Sequence, residues 1–247
     1  MKADPEDQLR LLDLQAVDTV MAQRTYRRRT LPELAIIAES AARLATLSGD
    51  VVRAQTEIGD LSREQRRLEL DVDQVRSRSE RDQQRLESGS VGSPKELERL
   101  QHEVQSLARR QGDLEDQVLE LMERREALDA ALAAVNESVQ RVTADRDDAT
   151  SRRDSAFAEI DAELSDREAE RDGLTAALPA DLLALYERLR AGSGGTGAAA
   201  LRQRRCEGCR MELASTDLNR ARNAPPDEVL RCEECGRILV RTPESGL

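Results

Sequence analysis

The sequence predicts an all-α, elongated antiparallel coiled-coil hairpin that carries a small β zinc ribbon at its C-terminal end. Charged residues make up 35% of the 247 residues and aromatic residues only 1%, a composition typical of long helices rather than of a compact globular core. Apolar residues recur with heptad spacing along two long stretches, as they do in coiled coils. Four cysteines form two Cys-x2-Cys pairs near the C-terminus, a pattern that indicates a metal site.

Capping residues mark the predicted helix starts. Asp4, Thr30 and Ser93 are candidate N-caps, and Pro5 and Pro94 each follow such a cap at the first helical position, where proline is well tolerated. The helices predicted from these signals and from the apolar pattern cover about residues 5–27, 31–87 and 94–171.

The third helix has the clearest heptad pattern in the chain. Its seam positions are apolar except for Gln111 and Arg125, whereas Gln65, Ser79 and Asp82 interrupt the seam of the second helix. A 3.5-residue repeat sustained in this way predicts a left-handed coiled coil. The apolar seam residues of the third helix are Leu97, Leu100, Val104, Leu107, Leu114, Val118, Leu121, Leu128, Leu132, Val135, Val139 and Val142.

The short turn over residues 88–92 predicts that the second and third helices fold back on each other. At ~1.5 Å per residue they would be ~85 Å and ~115 Å long, so the third helix would extend ~20 residues beyond the second. We expect the first helix to cover that extension. We expect residues 1–175 to form the hairpin, 176–197 a short helix and a flexible Gly-rich linker, and 198–247 the ribbon.

The cysteine pattern predicts one structural zinc ion. Cys206 and Cys209 are separated from Cys232 and Cys235 by 22 residues, and two Cys-x2-Cys turns can together supply a tetrahedron of four sulfurs. Such a ligand set leaves no open position for catalysis. We expect Gly208 and Gly236 to supply the permissive backbone of the two turns. A redox-switched thiol cluster and an iron–sulfur site are the alternatives.

Charge and residue content argue against several other functions. The net charge of −11 disfavours attraction of the whole molecule to nucleic acid or to anionic membranes. The sequence contains neither a signal peptide nor a membrane-spanning run, and we expect a cytoplasmic protein. The single histidine, His102, falls at an outer heptad position, and no nucleophile–base pattern is present. We therefore predict a non-enzyme with no small-molecule substrate.

Three stretches resemble a bacterial family of coiled-coil proteins with a C-terminal four-cysteine zinc ribbon. They are the hairpin tip and descending helix from Ser93 to Glu123, the pair Leu178-Pro179 with the segment from Leu185 to Arg188, and the ribbon motif Cys206-x2-Cys209 with the segment from Cys232 to Leu239. The Arg-rich, Lys-poor composition is similar to that of actinobacterial members. The resemblance implies zinc on the four cysteines and a function in binding. Some members associate with an alternative sigma factor and with flagellar or type III secretion components, and one also binds a messenger RNA.

Two binding functions follow as hypotheses. The first is a protein-binding adaptor, in which the acidic hairpin presents the ribbon to a protein partner. The second is nucleic-acid binding through the ribbon, by Arg202 and Arg204 on one face of a strand together with Arg237 or Arg241. Against the second hypothesis, the ribbon contains no aromatic residue for base stacking. Its arginines could instead pair with acidic residues of the ribbon itself, and a redox-sensing thiol module is a third alternative.

Overall fold

The computed structural model describes all 247 residues and confirms long helices followed by a small C-terminal sheet. Interresidue contacts divide the chain into a first unit, Met1–Leu34 with Thr150–Leu247, and a second unit, Ala35–Ala149. The elements in chain order are α1 Pro5–Arg29, α2 Pro32–Glu87, α3 Pro94–Ala176, α4 Ala180–Gly192, β1 Ala198–Arg202, β2 Arg205–Cys206, α5 Ser215–Asn223, β3 Leu230–Arg231, β4 Ile238–Arg241 and a short 3₁₀ turn Pro243–Ser245.

Two of the three predicted N-caps are confirmed. The Asp4 carboxylate accepts a hydrogen bond from the backbone N–H two residues further on, at 2.9 Å, and the Ser93 hydroxyl accepts one from the N–H three residues further on, at 3.3 Å. The prediction for Thr30 is wrong. Its hydroxyl donates to the carbonyl of Tyr26 at 2.9 Å, so Thr30 caps the C-terminal end of α1 rather than the start of α2.

The second unit contains most of α2 and the N-terminal part of α3, up to Ala149, which run antiparallel from the tip at residues 88–93. Arg85 pairs with Glu96 at 3.6 Å near the tip, and an ion pair joins Arg78 to Glu103 further along. The seam buries predicted heptad residues, as the burial of two facing helices requires. The most buried of them are Leu61, Leu100, Leu114, Leu121 and Val142.

In the first unit α1 packs antiparallel on the C-terminal part of α3, as the sequence predicts. Arg24 pairs with Glu163 at 2.7 Å, and Arg28 pairs with Asp161 at 2.8 Å. Ile160 of α3, which directly precedes Asp161, is buried. The extension of the third helix is therefore covered by α1.

The ribbon is a four-stranded sheet with strand order β2-β1-β4-β3. The β1–β2 and β3–β4 pairs are antiparallel hairpins, and β1 and β4 join them in parallel, with Ala198 opposite Ile238. Both faces of the sheet are covered. One face, with Ala198, Ile238 and Val240, packs on α1 and α4. We call these two helices the helical base. The other face packs against α5, a helix that the sequence analysis did not predict.

Hydrogen bonds fix the Gly-rich segment after α4, so the prediction of a flexible linker is wrong. The Gln15 side chain of α1 donates to the carbonyl of Gly195 at 3.0 Å and accepts from the N–H of Gly197 at 2.7 Å. Arg237 of the ribbon donates to the carbonyl of Ser193 at 2.8 Å. A Cβ at Gly197 would lie 2.6 Å from the backbone of Tyr186, so this glycine permits a close approach.

The N-terminal residues also pair with the ribbon. The N–H of Ala3 donates to the carbonyl of Asp227 at 2.8 Å, and the N–H of Val229 donates to the carbonyl of Met1 at 3.1 Å. Lys2 adds an ion pair with Asp227 at 2.9 Å. None of the helices combines the length and the apolar character that crossing a lipid bilayer would require.

Candidate metal centre and the arginines around it

The four cysteines converge on one point of the ribbon. Cys206 lies at the end of β2 and Cys209 in the following turn, whereas Cys232 follows β3 and Cys235 lies in the turn before β4. The four Sγ atoms all lie within 4.8 Å of one another. The Cys206–Cys235 and Cys209–Cys232 sulfur pairs are each 3.9 Å apart. A zinc ion at ~2.3 Å from four tetrahedral sulfurs needs sulfur separations of ~3.8 Å, so the site fits zinc.

The two Cys-x2-Cys turns make the same backbone hydrogen bonds. The N–H four residues after the first cysteine donates back to that cysteine's carbonyl, from Arg210 to Cys206 at 2.7 Å and from Gly236 to Cys232 at 2.8 Å. Each first cysteine then donates its own N–H to the carbonyl five residues ahead, at 3.0 Å in both turns. The two halves of the metal site therefore share one backbone design, which aims two sulfurs from each side.

The expected role of Gly208 needs correction. Gly236 has φ +71°, but the equivalent position of the first turn is Arg210, with φ +61°. Gly208 instead permits close packing, since an added Cβ would lie 2.8 Å from Cδ of Arg237 and 3.0 Å from Cβ of Ala199. Gly236 is thus needed for its backbone conformation, and Gly208 for the absence of a side chain at a close contact.

Burial opposes ionisation of the cysteine thiols, and a bound cation would offset that cost. Burial raises the pKa of the Cys206 thiol to about 12, although the backbone N–H groups of Cys209 and Gly208 oppose the shift. Burial also raises the pKa of Cys235, but hydrogen bonds, chiefly from the backbone of Arg237, outweigh it and bring that pKa to about 7. A metal ion supplies the positive charge that stabilises buried thiolates.

The chemistry of this donor set is structural. Four thiolates complete the tetrahedral coordination that zinc prefers and leave no position for a water or a substrate. Cys206 and Cys232 are buried within the cluster that joins the sheet to α5. One structural zinc ion therefore stabilises the ribbon by joining its two hairpins, each of which supplies two ligands.

Arg237 uses its guanidinium group for backbone carbonyls. It donates to Thr196 at 3.1 Å, to Gly208 at 3.1 Å and to Ser193 at 2.8 Å. These contacts connect the second metal turn, which Arg237 follows directly, to the first turn and to the segment after α4. The guanidinium group of Arg237 therefore supports the ribbon backbone, and contact of Arg237 with nucleic acid stays a prediction.

Arg241 is held in the same way. Its guanidinium donates to five carbonyls around the end of α5 at 2.6–3.3 Å. Three of them, Ala221, Ala224 and Pro225, belong to the last turn of α5 or follow it, where helix carbonyls lack intrahelical partners. Contact of Arg241 with nucleic acid likewise stays a prediction. The remaining two acceptors are Pro226 and Glu228.

Arg202 and Arg204 do not share a strand face, so that prediction is wrong. Strand β1 ends at Arg202, whose guanidinium pairs with Glu207 at 3.4 Å. Gln203 and Arg204 have φ +45° and +66° and form the tight turn between β1 and β2, as two-residue hairpins require. Pairing within the ribbon also includes Arg220 with Glu233, at 2.9 Å.

A buried polar cluster that no sequence pattern predicted lies where α1, α3 and α4 meet. The Asp18 carboxylate is buried and accepts a hydrogen bond from the Tyr186 hydroxyl at 2.6 Å. It also pairs with Arg171 at 2.8 Å and with Arg190 at 3.0 Å. Burial, and then the bond to Asp18, raise the pKa of Tyr186, so the phenol remains a donor. The cluster joins α1, α3 and α4 below the ribbon.

The fold and the site together define a coiled-coil hairpin protein with a closed, four-cysteine zinc ribbon. Residues 14–194 match the family model of the CT398-like coiled coil hairpin domain, and residues 205–239 match that of the C4-type zinc ribbon domain. The chain belongs to this family of CT398-like coiled-coil hairpin proteins.

Relatives and solved structures agree with this assignment. An uncharacterised protein of Mycobacterium tuberculosis is 40% identical over 98% of both chains, and one of Mycobacterium leprae is 32% identical over 91% of this chain and 96% of its own. A solved structure from Mycobacterium smegmatis has 35% identity and a TM-score of 0.84, covering 98% of this chain and 100% of that one. CT398 from Chlamydia trachomatis, at 19% identity and TM-score 0.72 over 96% and 98%, shares the fold.

Proposed function

We propose that this protein is a non-enzymatic, zinc-containing adaptor that binds a protein partner. The proposal rests on the observation that most ribbon arginines already have partners within the protein. Arg237 and Arg241 direct their guanidinium groups at backbone carbonyls, and Arg202 and Arg220 pair with carboxylates. Few cations of the ribbon are therefore left for phosphate, and phosphate contacts dominate nucleic-acid affinity.

The surface of the hairpin supports the same proposal. Val52, Leu70 and Leu119 are each more than half exposed on α2 and α3, on helices whose charge would repel phosphate. Contiguous apolar surface rimmed by polar residues is typical of protein-binding sites, and Leu119 lies with Val72 and Val118 in one open groove. Neither of the two family descriptions names an enzymatic activity. Together with the closed zinc site, they accord with a function in binding.

The test is affinity purification of the tagged full-length chain from a mycobacterial lysate, with and without nuclease treatment, followed by mass spectrometry and reciprocal capture. The proposal predicts a protein partner that survives nuclease and is recovered reciprocally. Partners that all disappear after nuclease treatment would contradict it.

Nucleic-acid binding remains the second candidate function because one part of the ribbon retains free cations. Arg204, Arg205 and Arg210 are exposed and lack ion-pair partners around the β1–β2 turn. Titration of zinc-loaded full-length protein with single-stranded RNA tests this candidate. The full chain is required because one face of the sheet is buried on the helical base. The adaptor proposal predicts no measurable binding at ~50 mM salt, whereas binding that Arg204→Gln weakens would favour the alternative.

A further inference from the structure

The second unit carries an open apolar groove of about 300 Å³ beside the seam of α2 and α3. We infer that this groove binds a basic amphipathic helix of a partner protein, an inference that rests on the adaptor function proposed above. Its floor is apolar and its rim carries three carboxylates. The floor residues are Val72, Val118 and Leu119, and the rim residues are Glu69, Asp73 and Glu115.

The floor includes a leucine that the hairpin does not use. Val118 is a seam residue, and the next residue, Leu119, points away from the seam with 56% of its surface exposed. Burial of a leucine side chain away from water is favourable, and the folded hairpin buries less than half of the Leu119 surface. An apolar side chain from a docked helix would complete it, as in other helix-in-groove complexes.

The rim carries negative charge that the protein does not neutralise. Some carboxylates of these helices pair with arginine, as Asp60 does with Arg63 and Glu80 with Arg76, but the three rim carboxylates have no such ion pair. Glu69 and Glu115 accept hydrogen bonds only from glutamine amides of their own helices, at 2.7 and 2.8 Å. Each keeps acceptor capacity for a cation, and Asp73 is exposed. Lysine or arginine side chains of a docked helix would pair with all three.

The chain already contains a comparable arrangement in its first unit. There α1 lies antiparallel on α3 as an added helix, and it presents Arg24 and Arg28 to Glu163 and Asp161 of α3. Leu11 and Leu14 of α1 supply the apolar side of the same helix. A basic amphipathic helix on the groove would repeat this chemistry with a partner's side chains.

Charge selects this occupant over two others. Residues 57–82 and 103–129 carry 16 acidic and 10 basic side chains, which would repel the phosphates of RNA. A second copy of the chain in a two-fold symmetric contact would place the same rim against itself. Glu69, Asp73 and Glu115 would then face like charges.

The experiment titrates the full-length protein with a fluorescent peptide of about 20 residues that forms a leucine-faced, lysine-rich helix. A peptide with the same composition in scrambled order lacks the apolar face and serves as the control ligand. The test variant is Glu69→Gln/Asp73→Asn/Glu115→Gln. Its matched control, Glu64→Gln/Asp116→Asn/Glu123→Gln, removes equal charge from exposed residues of the same helices that do not line the groove.

We expect the test variant to bind the peptide about tenfold more weakly than the wild type at ~50 mM salt, as the loss of three exposed ion pairs would give. The matched control should lose only about twofold, because its carboxylates do not line the groove and would act on the peptide only through long-range attraction, which salt weakens. Leu119→Ser should weaken binding by about fivefold, whereas Leu70→Ser, at a leucine that is also exposed but lies outside the groove, should not.

Equal losses in the two triple variants, or equal binding of the scrambled peptide, would overturn the inference, because attraction would then be nonspecific. Self-association that Leu119→Ser abolishes, or displacement of the peptide by single-stranded RNA, would overturn it in favour of those occupants. Failure of the wild-type protein to bind the peptide would also overturn it. The adaptor function would still stand or fall by the nuclease-treated purification, which detects a partner bound at any surface.

Discussion

Arg125 donates a hydrogen bond from Nη1 to the Gln65 side-chain oxygen at 2.9 Å, across the seam between α3 and α2. Both residues interrupt the apolar heptad pattern of their helices, and the structure places the two interruptions opposite each other. A polar residue at a seam position stabilises the one register in which it finds a partner. This pair therefore favours the register in which Gln65 and Arg125 face each other.

The pair predicts a non-additive response to apolar substitution. Gln65→Leu and Arg125→Leu each leave one polar group at the seam without its partner, whereas the double variant leaves none. We therefore expect the free energy of unfolding of the double variant to be ~1 kcal/mol higher than the sum of the two single-variant effects predicts. Urea unfolding followed by circular dichroism measures this.

Gln111 provides the control for that cycle. It lies on the same seam but donates to Glu115 within its own helix at 2.8 Å, so Gln111→Leu and Arg125→Leu should be additive. Additivity for Gln65 and Arg125 as well would show that the hydrogen bond contributes nothing to the hairpin.

The Asp18 cluster predicts a large loss of stability from a small chemical change. Asp18→Asn keeps the shape of the side chain but removes the buried charge that Arg171 and Arg190 surround. Breaking such a pair leaves uncompensated charge and should cost ~3 kcal/mol. Thermal unfolding and protease cleavage of residues 192–197 both report on it.

Asp13 is the matched control, because it lies exposed on the same helix. Asp13→Asn should change the free energy of unfolding by less than ~0.5 kcal/mol. If Asp18→Asn proved equally mild, the cluster would not be what holds the helical base together.

Features that depend on local sequence were predictable, whereas contacts between distant residues were not. The heptads of α3, the cap at Ser93 and the four cysteines are visible in short windows, because each depends on spacing along the chain. The bond between Tyr186 and Asp18 joins residues 168 positions apart, and no local pattern marks it. The sequence predicted Arg241 to be a surface cation for a related reason. Its five carbonyl acceptors become neighbours only after α5 has packed on the sheet.

Two glycines predict opposite effects of alanine. A Cβ at Gly59, inside α2, would meet no atom within 4 Å, so Gly59→Ala should stabilise the hairpin by ~1 kcal/mol through helix propensity. Gly208→Ala should destabilise the ribbon and weaken zinc retention, because its Cβ would lie 2.8 Å from Cδ of Arg237. Thermal unfolding and zinc release to a colorimetric chelator measure the two effects. A neutral Gly208→Ala would contradict the packing explanation.

Removal of zinc should act on the first unit and spare the second. Ile238 and Val240 of the ribbon pack on the helical base, and Arg237 holds the segment after α4. Loss of the metal should therefore expose residues 192–242 to protease, while most far-ultraviolet helicity, which resides in α2 and α3, remains. Cys232→Ser should reproduce this effect and Met211→Ser, at an exposed residue near the first turn, should not. Loss of the whole helical signal on chelation would refute the separation of the two units.

X-ray absorption at the zinc edge of the purified full-length protein tests the central structural claim most directly. Four sulfurs whose positions lie within 4.8 Å of one another predict one zinc per chain with four sulfur neighbours at ~2.3 Å and no nitrogen or oxygen neighbour. A first shell that contains nitrogen or oxygen, or fewer than four sulfurs, would contradict the closed structural site on which this account of the ribbon depends.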